Sequence, residues 1–383
     1  MKICIINNLY KPYNKGGAET VIENIIYGLS LDNEIILITL GRKDSVRTGL
    51  RPVRTYYTKP CNIFSYLDID SKKNILLKLI WWLINIFNIS SYIKIKKILK
   101  QEEQDVVNLH NLTGIGFLVF RLAKKAILTL HDIQLVYPSG RLIYGQENKF
   151  INNNFLIYLY KKISRFLEGS PDIVISPSKW LLDFYNKNNF FKKSKKYILK
   201  NPLNINDKII NNNFKNNLEF LYVGQIEEYK GIFLLLKIFN KLRNYKLNIV
   251  GSGKDLEKAK KFVENNNLNN IIFHGKLDKE ELNKIYLQSN ILIFPSLTYE
   301  NCPSVILEAQ SFGLLVIASR IGGVPELVDE KYLFEPGNEK ELESLIDKVI
   351  NNNHIKSRKI TLQSRDHMAS YINKFIEICN SYK

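Results

Sequence analysis

Four cysteines in 383 residues, at positions 4, 61, 302 and 379, are too scattered for a disulfide framework. None forms a CxxC pair or a Cys/His cluster with metal-ligand spacing, so a reducing compartment fits best. The amino terminus has no long apolar core: MKICIIN turns polar after a short run, which reads as a first strand and not as a signal peptide. No stretch reaches the roughly 18–20 uninterrupted apolar residues that a membrane span needs. Acidic side chains are outnumbered 55 to 37, leaving a formal charge of +18. What is present, 45% hydrophobic and 24% charged residues, is enough to bury sizeable cores without cross-links, and the length suggests two to three domains. These features predict a soluble or peripheral, cytoplasmic protein.

The positive charge is unevenly spread. Residues 1–203 hold 31 basic and 15 acidic side chains, a net of +16; residues 204–383 hold 24 and 22, a net of +2. A Lys/Asn/Ile-rich coding bias would raise the charge everywhere. The asymmetry instead predicts a basic face on the first half, suited to an anionic lipid surface, a phosphorylated acceptor or nucleic acid.

Short apolar runs alternate with helix-length amphipathic stretches. Strands are predicted at residues 2–7, 34–40, 105–109, 126–130, 172–176 and 197–200, then at 219–223, 246–250, 271–274, 291–294 and 315–318. Helices over 232–242, 254–265 and 279–288 separate several of them. Such alternation implies parallel sheets covered on both faces. The Asn-rich stretch 201–217 reads as a linker, so the expected domains are 1–203 and 204–356, with 357–383 a terminal helix packing back on the first domain.

The most informative stretch, residues 294–327, reads FPSLTYENCPSVILEAQSFGLLVIASRIGGVPEL. A strand ends at Pro295-Ser296; a loop with Glu300, Asn301 and Cys302 follows; Pro303 and Ser304 open a helix that carries Glu308 and stops at Gly313. After another strand, Gly322-Gly323 is read as opening a further helix at Pro325. Two helix N-termini would then point into one crevice at the carboxyl ends of parallel strands, where diphosphates find free N–H groups.

This stretch resembles the E-x7-E region of retaining GT-B glycosyltransferases, in particular glycosyltransferase family 4. Further landmarks follow in order: Gly16-Gly17-Ala18-Glu19, Leu130-His131-Asp132, Ile175-Ser176-Pro177-Ser178, Tyr222-Val223-Gly224-Gln225 to Lys230-Gly231, Val250-Gly251-Ser252-Gly253 and Phe273-His274-Gly275. The resemblance covers nearly the whole chain. It implies two Rossmann-like β/α/β domains facing across a cleft and a metal-independent, hexosyltransferase-type transfer from a nucleotide-diphosphate sugar, with no cofactor. By it, Glu308 holds the donor ribose, Glu300 sits near the transferred sugar, and Lys230 is the counter-ion of the departing diphosphate. Gly16, Gly17, Gly224, Gln225 and Gly251 fall in donor-binding loops, and Asn301, Cys302, Pro303 and Ser304 complete that set. The family usually has arginine at the position of Gln225, and a neutral amide does not replace a guanidinium on phosphate. That departure motivates a third reading, a non-catalytic subunit.

On the first half, His131 at a strand end is a candidate catalytic donor to a sugar hydroxyl, with Asp132 and His110 at the cleft on the acceptor side. The pair His131-Asp132 reads equally as a capping aspartate beside a structural histidine. Residues 75–89, ILLKLIWWLINIFNI, place Trp81 and Trp82 near Lys78, a membrane-interface pattern, although a buried domain helix is the alternative. The expected partners are thus a nucleotide sugar, a glycan or lipid-linked acceptor, and an anionic membrane inner face. Gly251-Ser252-Gly253-Lys254 is no P-loop, because Asn248 and Asp255 stand where Gly and Ser/Thr are needed. Asp68-Ile69-Asp70 has the metal-binding DxD spacing but reads as a solvated turn. A nucleotide-sugar epimerase and a basic nucleic-acid-binding protein are the competing functions; no nucleic-acid module supports the latter.

Overall fold

The apolar runs become the strands of two parallel sheets in a computed structural model, which describes residues 1–13, 16–49, 52–72, 74–122, 126–147, 155–204, 218–351 and 363–381. One compact unit comprises Met1–Gly140, Phe150–Pro202 and Met368–Lys383; the other comprises Arg141–Lys149 and Leu203–His367. The excursion of 141–149 into the second unit is invisible in the sequence pattern. Most of the 201–217 linker reading, and residues 357–362 ahead of the terminal helix, lie outside the described residues.

The first unit is built on β1 (Lys2–Ile6), β2 (Glu34–Leu40), β3 (Ser45–Thr48), β4 (Val53–Thr58), β5 (Val106–Leu109), β6 (Ala126–Thr129), β7 (Ile173–Ser176) and β8 (Lys195–Ile198). Their order is β3-β4-β2-β1-β5-β6-β7-β8, and all neighbours are parallel except the antiparallel β3–β4 pair. Helix α1 (Gly17–Leu29) buries Val21, Ile22, Ile25, Ile26 and Leu29 against β1 and β2. The terminal helix, Gln363–Asn380, adds Tyr371, Phe375, Ile378 and Cys379 to that core. It comes so close to α1 that a Cβ on Gly28 would lie 2.7 Å from the Ile372 side chain.

Helices α2 (Ile75–Ile86), α3 (Ile89–Glu102), α4 (Phe155–Glu168) and α5 (Lys179–Lys187) complete this unit. The span Leu76–Glu102 is apolar and long enough to cross a membrane by composition. It is broken at Phe87-Asn88, however, and both buried asparagines at the break are tied to neighbouring backbone. Asn85 Oδ1 accepts the Gly114 N–H at 2.8 Å, and Asn88 Nδ2 donates to the Cys61 carbonyl at 3.0 Å. The expectation that Trp81 lies at a membrane interface is corrected here. Trp81 is 1% exposed, donates its indole N–H to the Phe64 carbonyl at 2.8 Å and stacks on Phe64 and Tyr66. Trp82 also turns inward, half-buried, edge-on to Trp81 and Tyr160. An indole whose N–H has a partner is a favourable core anchor, and the Phe64 carbonyl supplies that partner for Trp81.

The second unit has β9 (Glu219–Val223), β10 (Lys246–Val250), β11 (Ile271–Gly275), β12 (Ile291–Phe294), β13 (Leu315–Ser319) and β14 (Leu333–Phe334), in the order β11-β10-β9-β12-β13-β14 with every pair parallel. Helices α6 (Ile232–Lys241), α7 (Leu256–Asn265), α8 (Lys279–Gln288), α9 (Ser304–Ser311) and α10 (Glu339–Asn351) cover it, and two apolar layers fill its faces. Each unit is thus a Rossmann-like α/β domain. The helix expected at Pro325 is only a 3-10 turn, Val324–Glu326, so a single full helix N-terminus follows this loop region.

The burial of Trp81 is directly checkable. Trp81→Ala is expected to destabilise the protein by about 3–5 kcal/mol. Leu83→Ala, at an exposed position of the same helix, should change stability by less than about 0.5 kcal/mol. Denaturant midpoints of the two variants, measured side by side, decide the point; equal midpoints would return Trp81 to the surface.

Candidate functional site

In the second sheet β9 has β10 on one side and β12 on the other, so the chain reverses its direction of winding between β9 and β12. Ligands of open α/β sheets bind outside the carboxyl ends of strands at such a point. Lys230 and Glu300 follow those two strand ends. Seventy residues apart in sequence, they form an ion pair in space. The Glu300 carboxylate also accepts from the Thr298 hydroxyl at 2.9 Å and the Ser296 hydroxyl at 3.2 Å. Burial works to raise its pKa, but the Lys230 ammonium and these hydroxyls outweigh it and hold the carboxyl below its ordinary value. It is therefore an anion at neutral pH.

Backbone packing fixes the loops that carry the pair. Gly231, with φ +77°, lies so close to Pro295 that a Cβ would fall 2.0 Å from the Pro295 carbonyl oxygen. Gly322, with φ +59°, packs likewise on Glu300, where a Cβ would fall 2.1 Å from the carbonyl oxygen, and the next N–H, of Gly323, donates to that oxygen at 2.8 Å. Both positions require glycine. Gly224 and Gly251 belong to the same loop cluster: the Gly224 N–H donates to the Val250 carbonyl, and that of Gly251 to the Gly275 carbonyl.

Glu308 projects from α9 with other partners. Its carboxylate accepts from the Tyr286 hydroxyl at 2.9 Å and from Ser304, while burial raises its pKa. Pro303 caps α9 and Ser304 is its first residue. Asn301 is half-buried, and Cys302 is buried in a cluster with Leu203 and Leu307, so that side chain is turned into packing. Gln225 is exposed, and its carbonyl accepts the Tyr222 hydroxyl at 2.6 Å.

Sequence reasoning missed three contributors. Arg141 donates to the Tyr229 hydroxyl at 2.6 Å, and its segment pairs with the strand end before Glu300, through the Ile143–Thr298 bridge and the Tyr299 N–H donating to the Leu142 carbonyl. Around the Tyr229 ring gather Arg141 at 5.0 Å, Lys254 at 5.1 Å and Lys230 at 5.9 Å from the centroid. Tyr286, which positions Glu308, is the third. Only Lys254, beside the glycines of the failed P-loop, carried any sequence signal.

In the first unit His110 and His131 end β5 and β6 and meet directly. His110 Nδ1 lies 2.7 Å from His131 Nε2 with the rings stacked at 5.0 Å. At that separation one ring nitrogen donates and the other accepts. Burial pushes the His131 pKa down to about 4 and that of His110 well below its ordinary value, with His131 adding to the latter effect. Asp132 accepts the Gln134 N–H at 2.8 Å, a turn contact with no helix behind it, and burial raises its pKa to about 6. The ring partner of His131 shown here is thus His110, which the sequence placed only in support. Leu112, Phe117, Leu128 and Tyr185 line the small cavity beside the pair, about 20 Å³ in volume. Gly16 and Gly17 precede and begin α1, where the Gly16 N–H donates to the Glu19 carboxylate at 2.6 Å. That loop is closed on itself by a capping contact.

Residues 204–372 match the family model described as Glycosyl transferases group 1. The chain carries a glycosyl transferases group 1 domain. This glycosyl transferases group 1 domain holds every E-x7-E residue discussed above. The chain is similar to a 42.6 kDa protein in the cps region of Klebsiella pneumoniae, 25% identical over 85% of this chain and 87% of that protein. It is also similar to a glycosyltransferase of Methanocaldococcus jannaschii, 29% identical over 64% of each chain. Among solved structures, sucrose-phosphate synthase from Thermosynechococcus elongatus superposes with a TM-score of 0.71 at 18% identity, covering 99% of this chain and 96% of that one. Anabaena HepE in complex with UDP-glucose gives 0.68 at 16% identity over 100% of both chains. These likenesses show the fold, that of the GT-B glycosyltransferases.

The neutral histidine pair has a pH signature. The unfolded histidines titrate near 6.5, while His131 in the fold titrates at about 4. The fold therefore binds fewer protons than the unfolded chain in that window and loses stability as pH falls through it. Asp132, raised to about 6, works in the opposite sense there and is unchanged in the comparison. His110→Leu/His131→Leu should lose less thermal stability than the wild type on acidification from 6.5 towards 4. Parallel curves of melting temperature against pH would refute the neutral pair.

Proposed function

We propose that the chain is a retaining glycosyltransferase of the family 4 type. In this reading it moves a hexosyl group from a nucleotide-diphosphate sugar to a glycan or lipid-linked acceptor in surface-polysaccharide assembly, within the cytoplasm. The observation that carries the reading is the Lys230–Glu300 pair at the switch point of a glycosyl transferases group 1 domain. The cps-region relative supports the polysaccharide context, and the HepE complex with UDP-glucose supports a nucleotide-sugar donor. All four cysteines are free, in keeping with a reducing compartment.

In this reading Glu308 accepts the ribose hydroxyls and Tyr286 orients it. Donor binding brings the diphosphate to Lys230, which exchanges part of its pairing with Glu300 for the phosphate oxygens. The bond from the anomeric carbon to the diphosphate oxygen breaks with its electron pair going to that oxygen. The acceptor hydroxyl oxygen bonds to the same face of the carbon, and its proton passes to the leaving phosphate. The ammonium stabilises charge that grows on the leaving group, so no divalent ion is assigned to the step. Arg141 and Lys254 add positive charge beside Lys230 where Gln225 adds none. His131, neutral, donates to an acceptor or sugar hydroxyl.

Two measurements test these roles. Glu308→Ala should weaken UDP binding about tenfold or more, consistent with loss of charge-assisted hydrogen bonds. Calorimetry giving an unchanged affinity, with the fold intact, would remove Glu308 from the ribose. Lys230→Ala, assayed in EDTA beside the wild type, should lower kcat about 100–1000-fold with a smaller change in KM. A wild type silenced by EDTA, or a variant that changes KM alone, would overturn the leaving-group role.

A further inference from the structure

Two helices of the first unit bury polar side chains and expose apolar ones. On α2 the inward residues are Trp81, Asn85 and Ile86, while Leu76, Leu79, Ile80, Leu83 and Phe87 face solvent, Leu76 and Leu83 more than 60% exposed. On α4, Ser164 and Glu168 are buried while Phe155, Leu156, Leu159 and Phe166 are exposed, Phe155 at 74% and Phe166 at 72%. Burial pushes the Glu168 carboxyl well above its ordinary pKa, and neither of its oxygens has a hydrogen-bond partner. The helices are neighbours: Trp82 of α2 meets Tyr160 of α4 edge-on at 6.1 Å, and both pack on the 3-10 turn Phe117–Arg121. Solubility alone would place these polar and apolar groups the other way round, and exposed apolar patches of this kind mark interaction sites.

We propose that the exposed faces of α2 and α4 form a surface that inserts into the headgroup region of an anionic bilayer. The charge around them selects that occupant. Neither helix has an exposed acidic side chain, and Lys78, Lys161, Lys162 and Arg165 lie along them. The Arg121 guanidinium stands 5.2 Å from the Phe166 ring centroid, and the Lys162 ammonium 4.6 Å from that of Tyr158. Cations beside exposed aromatic and leucyl side chains match the boundary between acyl chains and phosphate headgroups. A second copy of the chain is a poorer occupant, because a symmetric contact would bring the same cations against one another. The helices lie on the bilayer and do not cross it, since Asn85 and Asn88 tie the end of α2 into the unit.

The full chain is tested by co-sedimentation with phosphatidylcholine vesicles and with vesicles also containing phosphatidylglycerol. The assay needs neither donor nor acceptor, so its outcome is separate from that of the transfer reading. The wild type should sediment with the anionic vesicles, partly released by salt. Leu83→Glu/Phe155→Glu, at exposed positions and with an unchanged circular dichroism spectrum, should cut binding about tenfold or more, while Lys161→Glu/Lys162→Glu should abolish the preference for anionic lipid. The proposal fails if the wild type stays in solution with anionic vesicles at low salt, or if the Leu83/Phe155 variant binds as the wild type does. It also fails if the face proves to hold a dimer, dispersed by Leu83→Glu, with no vesicle binding.

Discussion

A carboxylate taken largely out of water must be met by positive charge and hydrogen-bond donors, and Glu300 organises the carboxyl edge of the second sheet by that need. Lys230 reaches it from the loop after β9, and Ser296 and Thr298 reach it from the strand end just before it. Those contacts hold only because two glycines let backbones close in, Gly231 on Pro295 and Gly322 on Glu300 itself. Removing Lys230 alone would leave the carboxylate buried without its cation, so the pair is structural and chemical at once.

The histidine pair of the first unit follows the opposite rule. Here two bases share one hydrogen bond in a buried place, and burial excludes the cationic form of either. One unit therefore presents fixed charges at its strand ends and the other presents neutral donors. Both arrangements stand at the carboxyl ends of parallel strands, the only edge of such a sheet where loops from successive βα units gather.

The alternation of apolar runs with amphipathic stretches carried the two sheets, because parallel strands buried on both faces leave continuous hydrophobic segments. It did not carry β3, whose residues Ser45–Thr48 are largely exposed at the sheet edge, β4, where Arg54 and threonines interrupt the apolar run, or β14, which is two residues long. The E-x7-E stretch displayed Glu300 and Glu308 as neighbours in sequence; their partners Lys230 and Tyr286 come from elements that only the fold brings near. The Gly322-Gly323 reading erred towards a helix because a glycine pair followed closely by proline marks a turn as readily as a helix start. Residues 141–147 gave no signal at all, since the backbone hydrogen bonds, the antiparallel bridge and the Arg141–Tyr229 and Glu147–Tyr299 contacts that dock them leave no periodic pattern in the segment itself.

The run 75–89 shows most sharply what composition leaves open. Its apolar content fits a core helix and a surface-bound one equally, and the tryptophans pointed to the surface. In the fold the indole N–H of Trp81 and the side chains of Asn85 and Asn88 need backbone partners, and those partners lie inside the unit. Satisfying them rotates the helix so that its leucines face out. Hydrogen-bond demand, which is directional, thus overrides the hydrophobic effect, which is not. The charge distribution is consistent with this arrangement. In the second unit, where acidic and basic side chains are nearly equal in number, Lys241, Lys246 and Arg320 pair with Glu339, Glu343, Glu219, Glu330 and Glu335. Beside α4 the Arg121 and Lys162 cations adjoin the Phe166 and Tyr158 rings instead.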